Sequence, residues 1–250
     1  MGAGEVLIRP LRGLPEVRPG DDVGELVVRS GDPGSDEVVV LSQKIVSKAE
    51  GRLRRLKEVE PGNRARTLAR EVEKDPRLVQ LALEESRAVI RAAPGVLIVE
   101  TRTGIICANA GIDASNLEAA GLVALLPEDP DNSAREIRER IRETGGSSPA
   151  VIIADSFGRP WRLGQSEVAI GCAGIAPLDD WRGKPDRGGR ELSATAIASA
   201  DEIAAAADLV RTKVSGVPGA ILSGLDRLIV ADDGPGAAAL RRPVSEDLFR

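Results

Sequence analysis

The chain opens with Glu5-Val6-Leu7-Ile8, a short run of strand character, and passes through a loop punctuated by Pro and Gly to a helical stretch from Asp22. The apolar run Val38-Val39-Val40-Leu41 then predicts a buried strand. From about Asn63 to Ile90 the apolar spacing turns helical while Arg and Glu fill the surface positions, and Val96-Leu97-Ile98-Val99 returns to strand character. A helical segment is therefore expected between strands. Ser133-Ala134-Arg135-Glu136 fits a capping box opening a helix, with Ile137 and Ile141 on one face and a Glu136–Arg140 pair at i,i+4. Past Gly145-Gly146, Val151-Ile152-Ile153-Ala154 predicts a second buried strand, ending at Asp155. The Ala-rich stretch Ser193 to Arg211 reads as a long helix, broken at Gly216-Val217-Pro218-Gly219. Ala220-Ile221-Leu222 and Leu228-Ile229-Val230 read as short strands. There is no internal repeat and no low-complexity tail.

Composition narrows the chemistry. A chain of 250 residues suits one large domain or two smaller ones sharing a core. No apolar run approaches the roughly 18 residues of a membrane span, and the N-terminus lacks the basic and apolar stretches of a secretory signal, so a soluble, cytoplasmic protein is expected. Cys107 and Cys172 sit in apolar, strand-like settings and read as small buried hydrophobes. Histidine and tyrosine are absent, which removes the usual general base, the commonest zinc ligand and any Ser-His-Asp triad. Catalysis must rest on carboxylates, Lys, Arg, hydroxyls and bound metal. A net charge of −5 and only four aromatic residues, two Trp and two Phe, argue against nucleic acid as a partner.

Four segments depart from scaffold chemistry. Ser42-Gln43-Lys44-Ile45-Val46-Ser47-Lys48 follows a buried strand and carries two lysines four apart, which on a helical turn share a face. They bind an anion or form a solvated face, and the chain has no Gly-x-x-x-x-Gly-Lys-Ser/Thr phosphate loop. Cys107-Ala108-Asn109-Ala110-Gly111-Ile112-Asp113-Ala114-Ser115-Asn116 surrounds two amides and a carboxylate with small residues, a composition shared with ordinary turns. Asp155-Ser156-Phe157-Gly158-Arg159-Pro160-Trp161-Arg162 combines a carboxylate, a hydroxyl and two arginines. With Asp113, this segment supplies oxygen donors suited to a hard divalent cation, although Asp155 serves equally well as a cap. The fourth, Asp179 to Arg190, is a polar loop that either clamps an anionic substrate or lies solvated.

These segments, taken in order from about Glu5 to Gly224, resemble the family of γ-glutamyl ligases that elongate the tail of the deazaflavin coenzyme F420. Ser47-Lys48-Ala49-Glu50-Gly51-Arg52, Asn109 to Asn116, Asp155-Ser156-Phe157-Gly158-Arg159 and Ala200-Asp201-Glu202-Ile203-Ala204-Ala205 carry the resemblance. It implies an α+β fold, a mixed β-sheet with flanking helices, organised as one ligase domain over 1–250 with two interlinked subdomains. It implies a homodimer too. The flavin reductase domain that follows in some relatives is not expected in a chain ending at Arg250. The implied small-molecule substrates are F420-0, L-glutamate and GTP, with Mg²⁺ or Mn²⁺ and K⁺ as cofactors.

By resemblance, Leu14, Pro15, Gln43, Lys44, Lys48 and Asn116 border the nucleotide, together with the stretch Arg211-Thr212-Lys213-Val214-Ser215-Gly216. Asp113 and Asp155 bind metal, and Ser156 stands where the family carries a hydroxyl beside a second metal. Lys213 departs from the family's acidic ligand at about its position, so the second metal is either not held or takes its ligand from elsewhere. Asp113, Asp155 and Lys48 are the catalytic candidates. Arg159, Arg162, Arg182 and Arg187 are candidates for gripping the carboxylates and phosphodiester of the substrates, because guanidinium forks match such groups. The implied reaction is amide formation through an acyl phosphate. A metal-dependent phosphohydrolase, in which the same carboxylates activate water, and a noncatalytic nucleotide sensor are the alternatives.

Overall fold

The computed structural model describes residues 4–114, 121–211 and 215–247. In chain order it contains β1 (Leu7–Pro10), α1 (Val23–Gly31), β2 (Val38–Ser42), α2 (Gln43–Ala49), β3 (Leu53–Arg55), α3 (Asn63–Val72), α4 (Pro76–Glu84), β4 (Ser86–Ala93), β5 (Val96–Thr101) and β6 (Ile106–Ala108). Then come β7 (Leu122–Ala124), α5 (Pro130–Gly145), β8 (Ala150–Arg159), β9 (Arg162–Ala173), β10 (Asp179–Asp180), β11 (Ala196–Ile197), α6 (Ser199–Asp208) and β12 (Gly219–Ser223). The fold is α+β. A mixed five-stranded sheet runs β1-β12-β2-β8-β9, a smaller antiparallel sheet runs β4-β5-β6, and β3-β7 and β10-β11 are two-stranded pairs. Among the described residues no helix is long and apolar enough to cross a membrane.

The two unbroken apolar runs form the one parallel pair of the large sheet, β2 with β8, in register from Val38 opposite Ala150 to Ser42 opposite Ala154. Successive strand residues point to opposite faces, so a run that is apolar throughout needs cover on both. One face, with Val39, Leu41, Val151 and Ile153, packs against Val23 and Val27 of α1 and Ile137 and Ile141 of α5. The other, with Val38, Val40, Ile152 and Ala154, packs against Ala200, Ile203, Ala204 and Ala207 of α6. A separate cluster joins α3, α4 and β5 through Ala65, Ala69, Val72, Val79, Ala82, Leu97 and Val99.

Strand β9 is the sheet's edge, and carboxylates rather than another strand take up its outward N–H groups. Ala169 N–H donates to Asp201 and Cys172 N–H to Asp131, each at 2.9 Å. Such caps suppress edge-to-edge pairing. Asp131 also accepts from the N–H groups of Ala237 at 2.6 Å and Ala238 at 3.1 Å, which fastens the C-terminal segment to the sheet.

Several local expectations change. The helical stretch from Asn63 to Ile90 is two helices, with Glu73 in the left-handed region closing α3 and Asp75 capping α4. Its last residues belong to β4, where irregularities between Ser86 and Ala88 and between Val89 and Arg91 hide the strand's two-residue period. The Ser193–Arg211 helix contracts to α6, because Ala196–Ile197 pairs with β10. Leu228–Val230 is no strand: Asp226–Leu228 is a 3₁₀ turn and Ile229 forms one bridge with Ile175.

Helix α5 starts three residues before the expected capping box. Asp129 is its cap, accepting from Asn132 N–H at 3.1 Å, and Pro130 takes the first position, where a missing N–H costs nothing. The Ser133 hydroxyl donates to the Asp129 carbonyl instead. Arg140 pairs with Asp22 and Glu143 in place of Glu136, which accepts from Asn132.

Because Asp131 holds three backbone N–H groups, two of them fully buried, Asp131→Ala should lower unfolding free energy by about 2–5 kcal/mol, from roughly 1–3 per orphaned buried donor. Urea denaturation of the variant against the unchanged chain measures this; equal midpoints would contradict it.

Candidate active site

Pairing between β2 and β8 stops at Ser42 and Ala154, but β8 continues to Arg159. The strand expected to end at Asp155 therefore carries Asp155 and Ser156 past the end of its neighbour, while α2 turns away directly after Ser42. The gap is a cavity of about 420 Å³ beyond the carboxyl ends of the two parallel strands, the place where open sheets commonly bind ligands. Leu14, Pro15, Gln43, Lys44, Lys48, Asp113, Asp155, Ser156 and Gly216 all line it. The structure thus gathers residues spread over two hundred positions of sequence into one wall.

Helix α2 puts Lys44 and Lys48 on one face, one turn apart. The solvated-face alternative fails, since Lys48 is only 7% exposed. Each lysine has its own carboxylate: Lys44 Nζ lies 2.7 Å from Asp113, and Lys48 pairs with Glu16 of the Leu14-Pro15-Glu16 loop. The Ser47 hydroxyl donates to Gln43 Oε1 at 2.7 Å and fixes the buried amide.

Asp113 arrives by an unusual path. Asn109, Ala110 and Gly111 all have positive φ, at 51°, 56° and 70°, so three consecutive residues wind left-handed. For a residue bearing a Cβ this costs roughly 1–2 kcal/mol. Burial of Ala110 among the α3, α4 and β5 side chains offsets the cost. Gly111 admits no side chain, because a Cβ there would fall 2.6 Å from Leu126. Asp113 and Ala124 then exchange backbone hydrogen bonds at 3.0 and 2.8 Å, which fixes the aspartate over α2. Asp155 lies near β6, as its charge helps raise the Cys107 thiol; burial is the larger cause, and together they push it up to about 12.

Three charged residues of the cavity went unforeseen, Glu16, Glu167 and Asp208; Arg211, also on the lining, opens the stretch 211–216 that the resemblance places beside the nucleotide. Glu167 stands opposite Ser156 in the β8–β9 pairing and accepts its hydroxyl. Arg211 Nη2 reaches Glu167 at 3.3 Å and Nη1 the Pro218 carbonyl at 3.4 Å, while its buried Nε–H has no hydrogen-bond partner among the described residues. Counting back around the hairpin turn from Ser156 is the signal that leads to Glu167. The register slip near Gly158 and Arg159 blurs that count.

The four arginines proposed for substrate are not part of this cavity. Arg159 and Arg162 are exposed at the tip of the β8–β9 hairpin, Arg182 is paired with Asp180 at 2.6 Å, and Arg187 lies on the exposed loop after β10. Ser215 sits beside the cavity and accepts from Val217 N–H at 3.4 Å. Asn116 and Lys213 lie outside the described residues. Among the described residues, no three of Asp, Glu and Cys are grouped closely enough to hold a metal by themselves.

Lysines, aspartates and a hydroxyl gathered at the ends of parallel strands have the position and the functional groups of an enzyme site. The family model for F420-0:gamma-glutamyl ligase matches residues 13–224, a span that takes in every predicted site residue. The chain belongs to that family, and is a ligase. Similar curated proteins include the coenzyme F420:L-glutamate ligases of Methanopyrus kandleri, 46% identical over 94% of both chains, and of Haloarcula marismortui, 47% identical over 96% of this chain and 94% of that protein. The protein of the same name from Methanothermobacter thermautotrophicus is 42% identical over 96% of this chain and 97% of its own.

Both cysteines are buried with thiols pushed up to about 12, so the thiolate is absent until far above neutrality. Iodoacetamide at pH 8 should leave the native protein unlabelled and modify both cysteines once urea unfolds it. Mass spectrometry counts the adducts, and rapid native labelling would place Cys107 or Cys172 at the surface.

Proposed function

We propose that this chain joins L-glutamate to F420-0 through an amide bond, driven by GTP, and that further glutamates follow through γ-linkages. The observation that carries this reading is the convergence of Lys44, Lys48, Asp113 and Asp155 on one cavity with the Leu14-Pro15 loop and Gly216. Lys44 and Lys48 would meet the phosphates, and the Arg211 Nε–H, which has no hydrogen-bond partner among the described residues, would gain an acceptor from an entering anion. Leu14 and Pro15 would border the nucleoside.

Asp113, Asp155 and the Ser156 hydroxyl are oxygen donors only, a set that fits Mg²⁺ or Mn²⁺, which take one or two carboxylates and complete their shell with phosphate oxygens and water. When bound, such an ion would neutralise charge on the transferred phosphoryl group.

In the reaction, a carboxylate oxygen of the acid attacks the γ-phosphorus, and the bond to the β-phosphate oxygen breaks with its electron pair leaving on GDP. The glutamate amine then attacks the acyl carbon, the C–O pair departs with inorganic phosphate, and the ammonium proton passes to a phosphate or carboxylate oxygen. Both steps concentrate negative charge, which the lysines of α2, on the cavity wall, would stabilise. No histidine is needed.

The test incubates purified protein with F420-0, L-glutamate, Mg²⁺ or Mn²⁺ and either GTP or ATP, and follows products by mass spectrometry. A product heavier by glutamyl units, with matching nucleoside diphosphate, is expected; nucleotide hydrolysis without that product would make the chain a phosphohydrolase. Asp155→Asn should reduce glutamylation by about a hundredfold or more while circular dichroism is unchanged, a loss typical of removing one charge-stabilising group. Full turnover by the folded variant would remove Asp155 from the site.

A further inference from the structure

A second cavity, of about 500 Å³, lies along the outer edge of β9, between the β5–β6 turn and the C-terminal segment. It shares a wall with the first. Phe157 follows Ser156 in β8 and Val168 follows Glu167 in β9, and in each pair one residue faces the first cavity and its neighbour the second. A ligand filling the second cavity therefore ends one strand position from the residues placed around the nucleotide.

Its lining is of two kinds. Phe157, Val168, Ile106 and Leu240 offer an apolar floor, and Arg87, Arg241 and Arg242 supply guanidinium groups from β4 and the C-terminal segment. Arg87 and Arg241 close over Gly104, where a Cβ would come within 3.4 Å of Arg87 Nη2 and 3.6 Å of Arg241 Cδ. Both side chains thus border the same small turn, and Arg241 and Arg242, adjacent in the chain, present two guanidinium groups to the same cavity. The carboxylates nearby are largely committed: Glu100 to Arg87, Asp201 to the Ala169 N–H, and Asp131, 4.0 Å from Arg241, to three backbone N–H groups. Asp247 is the other acidic group on the lining.

We infer that this cavity holds the acid to be amidated: an extended organic anion whose planar or apolar body rests on Phe157 and Ile106 while Arg241 and Arg242 grip its phosphodiester and carboxylate. The assignment rests on the ligase reading and extends it, replacing the arginines of the hairpin tip and the 181–190 loop as the substrate grip. L-Glutamate is a poorer occupant, being small against 500 Å³ and lacking an apolar body, and inorganic phosphate leaves the floor unused.

Calorimetric titration of F420-0 into the full chain tests it, with a non-hydrolysable GTP analogue titrated separately. Arg241→Ala and Arg242→Ala should each weaken F420-0 binding roughly tenfold or more, the scale of one charge-assisted hydrogen bond, and leave the Kd of the GTP analogue unchanged. Millimolar L-glutamate or inorganic phosphate should not displace F420-0. Wild-type protein that fails to bind F420-0 overturns the ligase reading and the site with it. Binding that survives both substitutions, or yields to phosphate alone, overturns the site and leaves the reading intact. If Arg241→Ala perturbs the fold, shown by loss of nucleotide affinity as well, Arg242→Ala decides, since Arg242 is exposed and outside the core.

Discussion

The parallel pairing of β2 with β8 is the constraint on which the rest depends. Parallel neighbours cannot be joined by a tight turn, so the chain must leave β2 and return over a long crossover. That crossover contains the small sheet, α3, α4 and α5. Both strands are also buried on both faces, which commits α1 and α5 to one side and α6 to the other. Their ends then lie together, and because β8 outruns β2 by several residues, Asp155 and Ser156 are held on rigid strand backbone over open space. The site is the geometric remainder of that mismatch in length.

The remaining functional groups come from elements that the crossover inserts. Asp113 belongs to the turn after β6, and its backbone is tied to Ala124 and not to the large sheet. Asp155 from the large sheet and Asp113 from a turn outside it thus line one cavity with two lysines from one short helix. The left-handed turn at Asn109–Gly111 stores strain at the junction.

What the sequence made legible followed from the strength of each pattern. Val38–Leu41 and Val151–Ala154 announced the buried strands because no polar residue interrupts them, and the lysine pair of α2 was visible from its spacing alone. The boundaries of α5 and α6 were not, since Ser133 and the alanines before Ser199 satisfy local rules that tertiary partners override. β4 escaped because its irregularities spoil alternation. Glu16 and Glu167 were missed because each acquires meaning only across a loop or a hairpin, relations that one-dimensional spacing does not encode. The arginines at the hairpin tip were conspicuous in composition, but their distance from the cavity depends on where the β8–β9 turn falls, which composition does not give.

The carboxylates on Lys44 and Lys48 have a consequence for turnover. Under the proposed reaction, an entering triphosphate would have to compete for the lysines with Glu16 and Asp113, each held on its own backbone and within reach. The site would then carry internal competitors for its own ligand, at a local concentration that dilution cannot lower. Such competition would weaken any nucleotide held there, and would weigh most on the spent diphosphate, which has fewer charges with which to hold the lysines. Returning carboxylates would then hasten product departure, so that the same two ion pairs which neutralise Lys44 and Lys48 also clear them for the next cycle.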